Sequence, residues 1–82
     1  MNWKEKDHSL EKTYEFKSFK HAIAFMTECA MHIEQKNHHP TWSNTYNTVS
    51  VKLQTHDADY TVTEKDHELA KIMDSVYQKY DI

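Results

Sequence analysis

The chain has no glycine, no arginine, one proline and one cysteine. Without glycine, every tight turn must be made by Asn, Asp, Ser or a longer loop. The lone Cys29 has no partner for an intrachain disulfide and sits in an apolar helical stretch. It reads as a reduced, buried thiol, which suits a cytoplasmic setting. Long apolar runs are missing as well. The longest, Ala22-Ile23-Ala24-Phe25-Met26, falls far short of the roughly 18 residues a membrane span requires. The N-terminus, Met1-Asn2-Trp3-Lys4-Glu5, lacks the apolar core of a signal peptide. Ten Lys stand against thirteen acids, with no cluster of either sign and a net charge of −3. Major-groove reading leans on bidentate Arg and phosphate tracking needs a basic stripe, so neither direct nucleic-acid binding nor membrane association is expected.

The 82 residues make one domain, 1–82, with a thin core. Small domains often compensate by associating with themselves, here by a sheet edge or by helix packing. Leu10, Tyr14 and Phe16 at even spacing predict a strand with one buried face, and Trp3 to Lys6 predicts its short hairpin partner, turning through Asp7-His8-Ser9. Ser18 predicts an N-cap. After it, Phe19, Ala22, Ile23, Met26, Cys29, Ala30 and Ile33 keep the i, i+3, i+4 rule of a helix lying on a sheet. Asn37 can end it in a left-handed cap, and Pro40 forbids its continuation. Trp42, Asn44 and Tyr46, then Val49, Val51, Leu53 and Thr55, predict a hairpin turning near Tyr46-Asn47. The loop Asp57-Ala58-Asp59-Tyr60 follows. Thr63-Glu64-Lys65-Asp66 resembles a capping box with Asp for Glu, before a helix whose apolar face is Leu69, Ala70, Ile72, Met73, Val76 and Tyr80. The order β-β-α-β-β-α predicts an α+β fold, a four-stranded antiparallel sheet with both helices on one face.

Seven histidines are many for this length, and three fall where the pattern is oddest. Glu34-Gln35-Lys36-Asn37-His38-His39-Pro40-Thr41-Trp42 packs two of them with a carboxylate, a proline and a tryptophan. Imidazole titrates near pH 6.5, so two or three in one cleft can both give and take protons at neutral pH. Trp42 can offer a flat wall to a planar ligand. His56 is placed at the end of the fourth strand. Asp66 precedes Leu69, Ala70 and Met73 by three, four and seven residues and so points toward the buried face.

Together, Glu34-x-x-x-His38-His39-Pro40-x-Trp42, Asn44-x-Tyr46-Asn47, Val49-x-Val51-x-Leu53-x-Thr55-His56 and Asp66 with Leu69-Ala70 resemble the pterin-4a-carbinolamine dehydratases. Tyr14-x-Phe16-x-x-Phe19 and Ala22-x-Ala24-Phe25-Met26 look like that family too, and the resemblance runs from about Leu10 to Ile72. It implies dehydration of a 4a-hydroxytetrahydropterin to a quinonoid dihydropterin, which recycles the cofactor of aromatic amino-acid hydroxylases. It implies His38 and His56 as the acid–base pair. His39, Glu34, Trp42, Thr55 and Asp66 would bind substrate, with Glu34 orienting a histidine or touching the ring. The pterin is the substrate, no cofactor or metal is called for, and a homodimer or homotetramer is expected.

Two departures from the family pattern stand out. Its usual Thr-His-x-Ala-Gly-Gly stretch is here Thr55-His56-Asp57-Ala58-Asp59-Tyr60, with one residue more before the second helix. Positive φ costs a non-glycine residue about 1 kcal/mol or more, so the loop is expected to take another path, leaving the reach of Asp66 open. The family's additional N-terminal helix is also expected to be missing.

Other readings compete. Glu34 and His38, at i and i+4, can be a surface ion pair, and Asp66 can be a helix cap alone. Trp42 can be core. Cys29-x-x-His32 with the other histidines offers zinc donors, but without paired-ligand spacing. The chief alternative to catalysis is a dehydratase-like dimerisation and interaction module that has lost turnover, as relatives serving a transcription factor have.

Overall fold

A computed structural model describes residues 3–81. Strand β1 (Lys4–Lys6) turns into β2 (Ser9–Glu15), and helix α1 (Phe19–Lys36) follows. The hairpin of β3 (Thr41–Thr45) and β4 (Thr48–Leu53) then leads through a loop to helix α2 (Glu64–Tyr80). The strands form one antiparallel sheet in the order β1-β2-β4-β3, so the chain adopts the expected β-β-α-β-β-α order.

Register decides which face is buried. Leu10 pairs with Leu53, Tyr14 with Val49 and Val51 with Trp42, all pointing to one side. There Ala22, Phe25, Cys29 and Ile33 of α1 and Leu69, Ala70, Met73 and Val76 of α2 complete a single core. The opposite face carries the exposed row Thr13, Ser50 and Ser43. Phe19 and Ile23 depart from the expected apolar stripe, for both are exposed. The line that meets the sheet runs through Ala22, Phe25, Cys29 and Ile33, and Ile23 sits roughly 100° round the helix from Ala22.

Turns are made without glycine by six left-handed residues among those described: Asp7, His8, Asn37, Tyr46, Asp59 and Tyr60. Four are Asp, Asn or His, which tolerate positive φ best, whereas the two tyrosines are bulky residues for which it is strained. Ser18 and Asn37 cap α1 as expected: the Ser18 side chain accepts the His21 amide, and Asn37 adopts φ 50°. Two expectations for the loop after β4 fail. Strand β4 stops at Leu53, and His56 opens a 3-10 turn (His56–Ala58) instead of ending the strand. Thr55 has turned its backbone to the loop, donating to the Thr61 carbonyl at 2.9 Å and accepting from Tyr60 at 3.1 Å. Left-handed φ also survives at Asp59 and Tyr60 without glycine.

Lys12 is the one charged side chain on the covered face of β2, with 10% of its side chain exposed. Its ammonium donates to Asp74 of α2 at 2.7 Å, and Asp74 also accepts from the Tyr14 hydroxyl at 2.6 Å and the Trp3 indole at 3.2 Å. Removing the carboxylate leaves a nearly buried ammonium and a buried phenol unpaired. Asp74→Ala is expected to cost about 2–3 kcal/mol in urea denaturation. Replacing Lys12 by Met in the same chain should recover much of that loss, whereas a loss under about 0.5 kcal/mol would reduce the cluster to a surface contact.

Burial also pushes the Cys29 thiol from 9.0 up to about 12, and burial with the bond to Asp74 raises the Tyr14 phenol above its ordinary 10.0. Below these ordinary values folded and unfolded chains both keep the protons; above about pH 9 for Cys29 and about pH 10 for Tyr14 only the folded chain does. Stability should therefore fall with rising pH, by up to about 1.4 kcal/mol per pH unit for each group. Urea midpoints measured between about pH 8 and pH 10.5 check this, with Cys29→Ala flattening part of the slope.

Candidate active site

The first turn of α2 and the end of α1 meet across the loop that follows β4, and a single carboxylate ties them together. Asp66 is the third residue of α2 and has 0% exposure. Its Oδ2 accepts the Thr63 amide at 3.0 Å, one arm of the capping box, and the Thr55 hydroxyl at 2.7 Å. Thr55 spends its only hydroxyl proton on Asp66, so the Thr63 hydroxyl, 2.6 Å away, donates to Thr55 in turn. Oδ1 faces His38 Nε2 at 2.6 Å. As a carboxylate Asp66 can only accept, so against it His38 Nε2–H is the donor and Nδ1 is the ring nitrogen left free. Only 12% of the His38 side chain is exposed. No buried side-chain polar atom among the described residues lacks a partner, as a charge this deep requires.

His38 lies one residue past the Asn37 cap, where its amide donates to the Ile33 carbonyl at 3.4 Å. The left-handed Asn37 turns the chain off the helix axis, and Pro40 keeps it extended into β3. His38 then lines a polar cleft of about 240 Å³ with His39, Thr55 and His56. Asn37, Gln54, Asp57 and Lys65 complete its walls. His56 is exposed there, with no hydrogen bond to its ring among the described residues. Its imidazole lies instead 4.9 Å from the Tyr60 ring, centroid to centroid, at 42°.

The expected site residues divide between two depressions. Glu34, Pro40 and Trp42 border a neighbouring one of about 180 Å³ with Ala30 and Ile33, and His39 lines both. Trp42 is half-buried against the core, outside the cleft of His38 and His56. Glu34 pairs with His39 at 3.0 Å, not with His38. Both partners are exposed, so this pair orients His39 and adds little stability. Asp66 is at once the cap and the support of His38, and without exposed surface it reaches the cleft only through that imidazole. Sequence reasoning missed Gln54, Asp57, Lys65 and Tyr60. Only Lys65 carried a signal, as the neighbour of Asp66 in the first turn of a helix. Among the described residues no three of His, Cys, Asp and Glu come together as a metal-ligand set.

The family model described as pterin 4 alpha carbinolamine dehydratase matches residues 1–76. The chain belongs to that family. A protein of Opitutus terrae named "Putative pterin-4-alpha-carbinolamine dehydratase" is 47% identical over 74 residues, covering 90% of this chain and 76% of that one. One of the same name from Rhizobium meliloti is 54% identical over 66 residues, 80% of this chain but only 62% of its own length. A crystal structure described as a transcriptional coactivator/pterin dehydratase from Brucella melitensis superposes with a TM-score of 0.86 at 37% identity, over 90% of this chain and 80% of that one. A pterin dehydratase-like protein identified as a RuBisCO assembly factor shares the fold, with a TM-score of 0.75 at 21% identity, over 92% of this chain and 86% of its own.

Asp66→Asn separates the charge from the shape. The amide can still accept from Thr55 and Thr63, but it turns an N–H toward His38 and forces the proton from Nε2 to Nδ1. The variant should stay folded, losing about 1–2 kcal/mol, and show a two-bond ¹H–¹⁵N correlation pattern for His38 of the opposite tautomer. An unchanged His38 pattern would show that the carboxylate does not set its tautomer.

Proposed function

We propose that the cleft dehydrates a 4a-hydroxytetrahydropterin by histidine acid–base catalysis. The observation that carries this reading is the pair of imidazoles, His38 and His56, lining one polar cleft with contrasting supports. Loss of water breaks the C4a–O bond: one proton goes to the departing hydroxyl and one is taken from N5, whose freed pair forms the C4a=N5 bond. His38, with Nε2–H held by a buried anion, is suited to take the N5 proton at Nδ1, because Asp66 stabilises the imidazolium that results. His56, exposed and without a hydrogen bond to its ring, is suited to deliver the proton to oxygen and to recharge from water. His39, shared by both depressions and steadied by Glu34, would bind the pterin, with Trp42 beside it. Thr55 and Asp66 would act through the shape of the site.

A second reading has its own support. The Brucella relative is described as a coactivator as well as a dehydratase, and the loop beside His56 carries Asp59 and Tyr60 at positive φ where the family pattern has glycine. Here the chain would be an interaction module with little turnover, self-associating as a dimer or tetramer.

Turnover of a 4a-hydroxytetrahydropterin separates the two. His38→Ala and His56→Ala should each slow it by roughly 10- to 100-fold, and the double variant should fall to background, with no group left to protonate the leaving hydroxyl. His39→Ala should chiefly raise KM. Wild-type activity in the double variant, or none in the wild type, sinks the catalytic reading in favour of the module.

A further inference from the structure

Tyr60 is the residue that neither the fold nor the proposed chemistry uses. It is a bulky side chain at φ 59°, directly after Asp59 at φ 60°, and such pairs of left-handed residues are costly without glycine. The loop does not relax out of this conformation because its backbone is tied on every side. The Tyr60 amide donates to the Thr55 carbonyl at 3.1 Å, the Gln54 side-chain amide donates to the Tyr60 carbonyl at 3.3 Å, and Thr61 hydroxyl donates to the Ala58 carbonyl at 2.6 Å. The loop thereby lays the Tyr60 ring against His56 at 4.9 Å while Tyr60 itself stays out of the cleft wall, 58% exposed.

We infer that Tyr60 is a positioning residue for His56: its ring backs the imidazole and holds it toward the cleft, the part Asp66 plays for His38. A tilted aromatic contact is suited to this task. A carboxylate in that place would pin one ring nitrogen, whereas an aromatic face fixes the ring plane and leaves both nitrogens free to exchange protons. The strained backbone is then the means by which a glycine-free loop delivers that ring. This deepens the dehydratase reading and rests on it for the role of His56, but the contact itself can be tested without turnover.

Tyr46 supplies an internal control, since it too is a left-handed tyrosine, exposed at the β3–β4 turn, with no ring contact to a histidine among the described residues. In the full chain, Tyr60→Gly should move the His56 ring-proton resonances to the positions of a free histidine and abolish their nuclear Overhauser contacts to residue 60. Tyr60→Phe should keep both, and Tyr46→Gly should leave them untouched. Turnover should fall on the order of 10-fold in Tyr60→Gly with KM little changed, within the loss caused by removing His56 itself, and Tyr60→Phe should restore it. Tyr60→Gly should also melt a few degrees above Tyr60→Ala, because glycine alone relieves the left-handed backbone. His56 resonances that ignore Tyr60→Gly would overturn the proposal. Resonances that shift as described in a chain with no dehydratase activity would uphold the contact and place the failure in the catalytic reading.

Discussion

A carboxylate with no exposure to water is the constraint around which this end of the molecule is organised. Burying an unpartnered charge costs several kcal/mol, so Asp66 can exist where it does only if its neighbours supply donors. They do so from three separate pieces of chain: the Thr63 amide, the Thr55 hydroxyl and the His38 imidazole. Satisfying one ion thus fixes the start of α2, the exit from β4 and the orientation of a histidine. The helix N-terminus favours the same negative charge. Structure and site are here a single set of hydrogen bonds, and none of its members can be changed without disturbing both.

Much of this was legible in residue spacing. Asp66 falls in phase with Leu69 and Met73, so its inward direction could be read directly, as could the caps at Ser18 and Asn37 and the hairpin turn at Tyr46-Asn47. Alternation and helical period are local, and local patterns survive folding. What was not legible depends on where elements end up relative to one another. Phe19 and Ile23 belong to the apolar arc of α1, yet the sheet and α2 cover only part of that arc. Trp42 sits close to His38 in the chain but borders a different depression, because it lies on the core-facing side of β3 opposite Val51, whereas His38 precedes the strand, just after the left-handed turn at Asn37. The motif likewise could not say which histidine Glu34 would meet, since left-handed Asn37 redirects the chain between them.

Doing without glycine makes the molecule's turns unusually informative. At Asp7, His8, Asn37 and Asp59 the side chain suits the backbone, and nothing beyond the turn need be invoked. At Tyr60 it does not, and the same residue contacts His56. The expectation that the loop would abandon left-handed geometry was wrong because its hydrogen bonds outweigh the steric cost at two residues.

Helix α2 is also gripped by another of its carboxylates, Asp74, which holds Trp3, Lys12 and Tyr14. Asp66 and Asp74 stand eight residues apart, about 12 Å along the axis and roughly 80° apart around it. Two anchors at different heights and azimuths stop the helix from sliding and from rolling, where one would allow a pivot. Its solvent side, which includes Lys71, Ser75 and Gln78, takes no part in either anchor. Drift or design can rewrite that side, even into a contact surface, while the rod beneath keeps His38 in place.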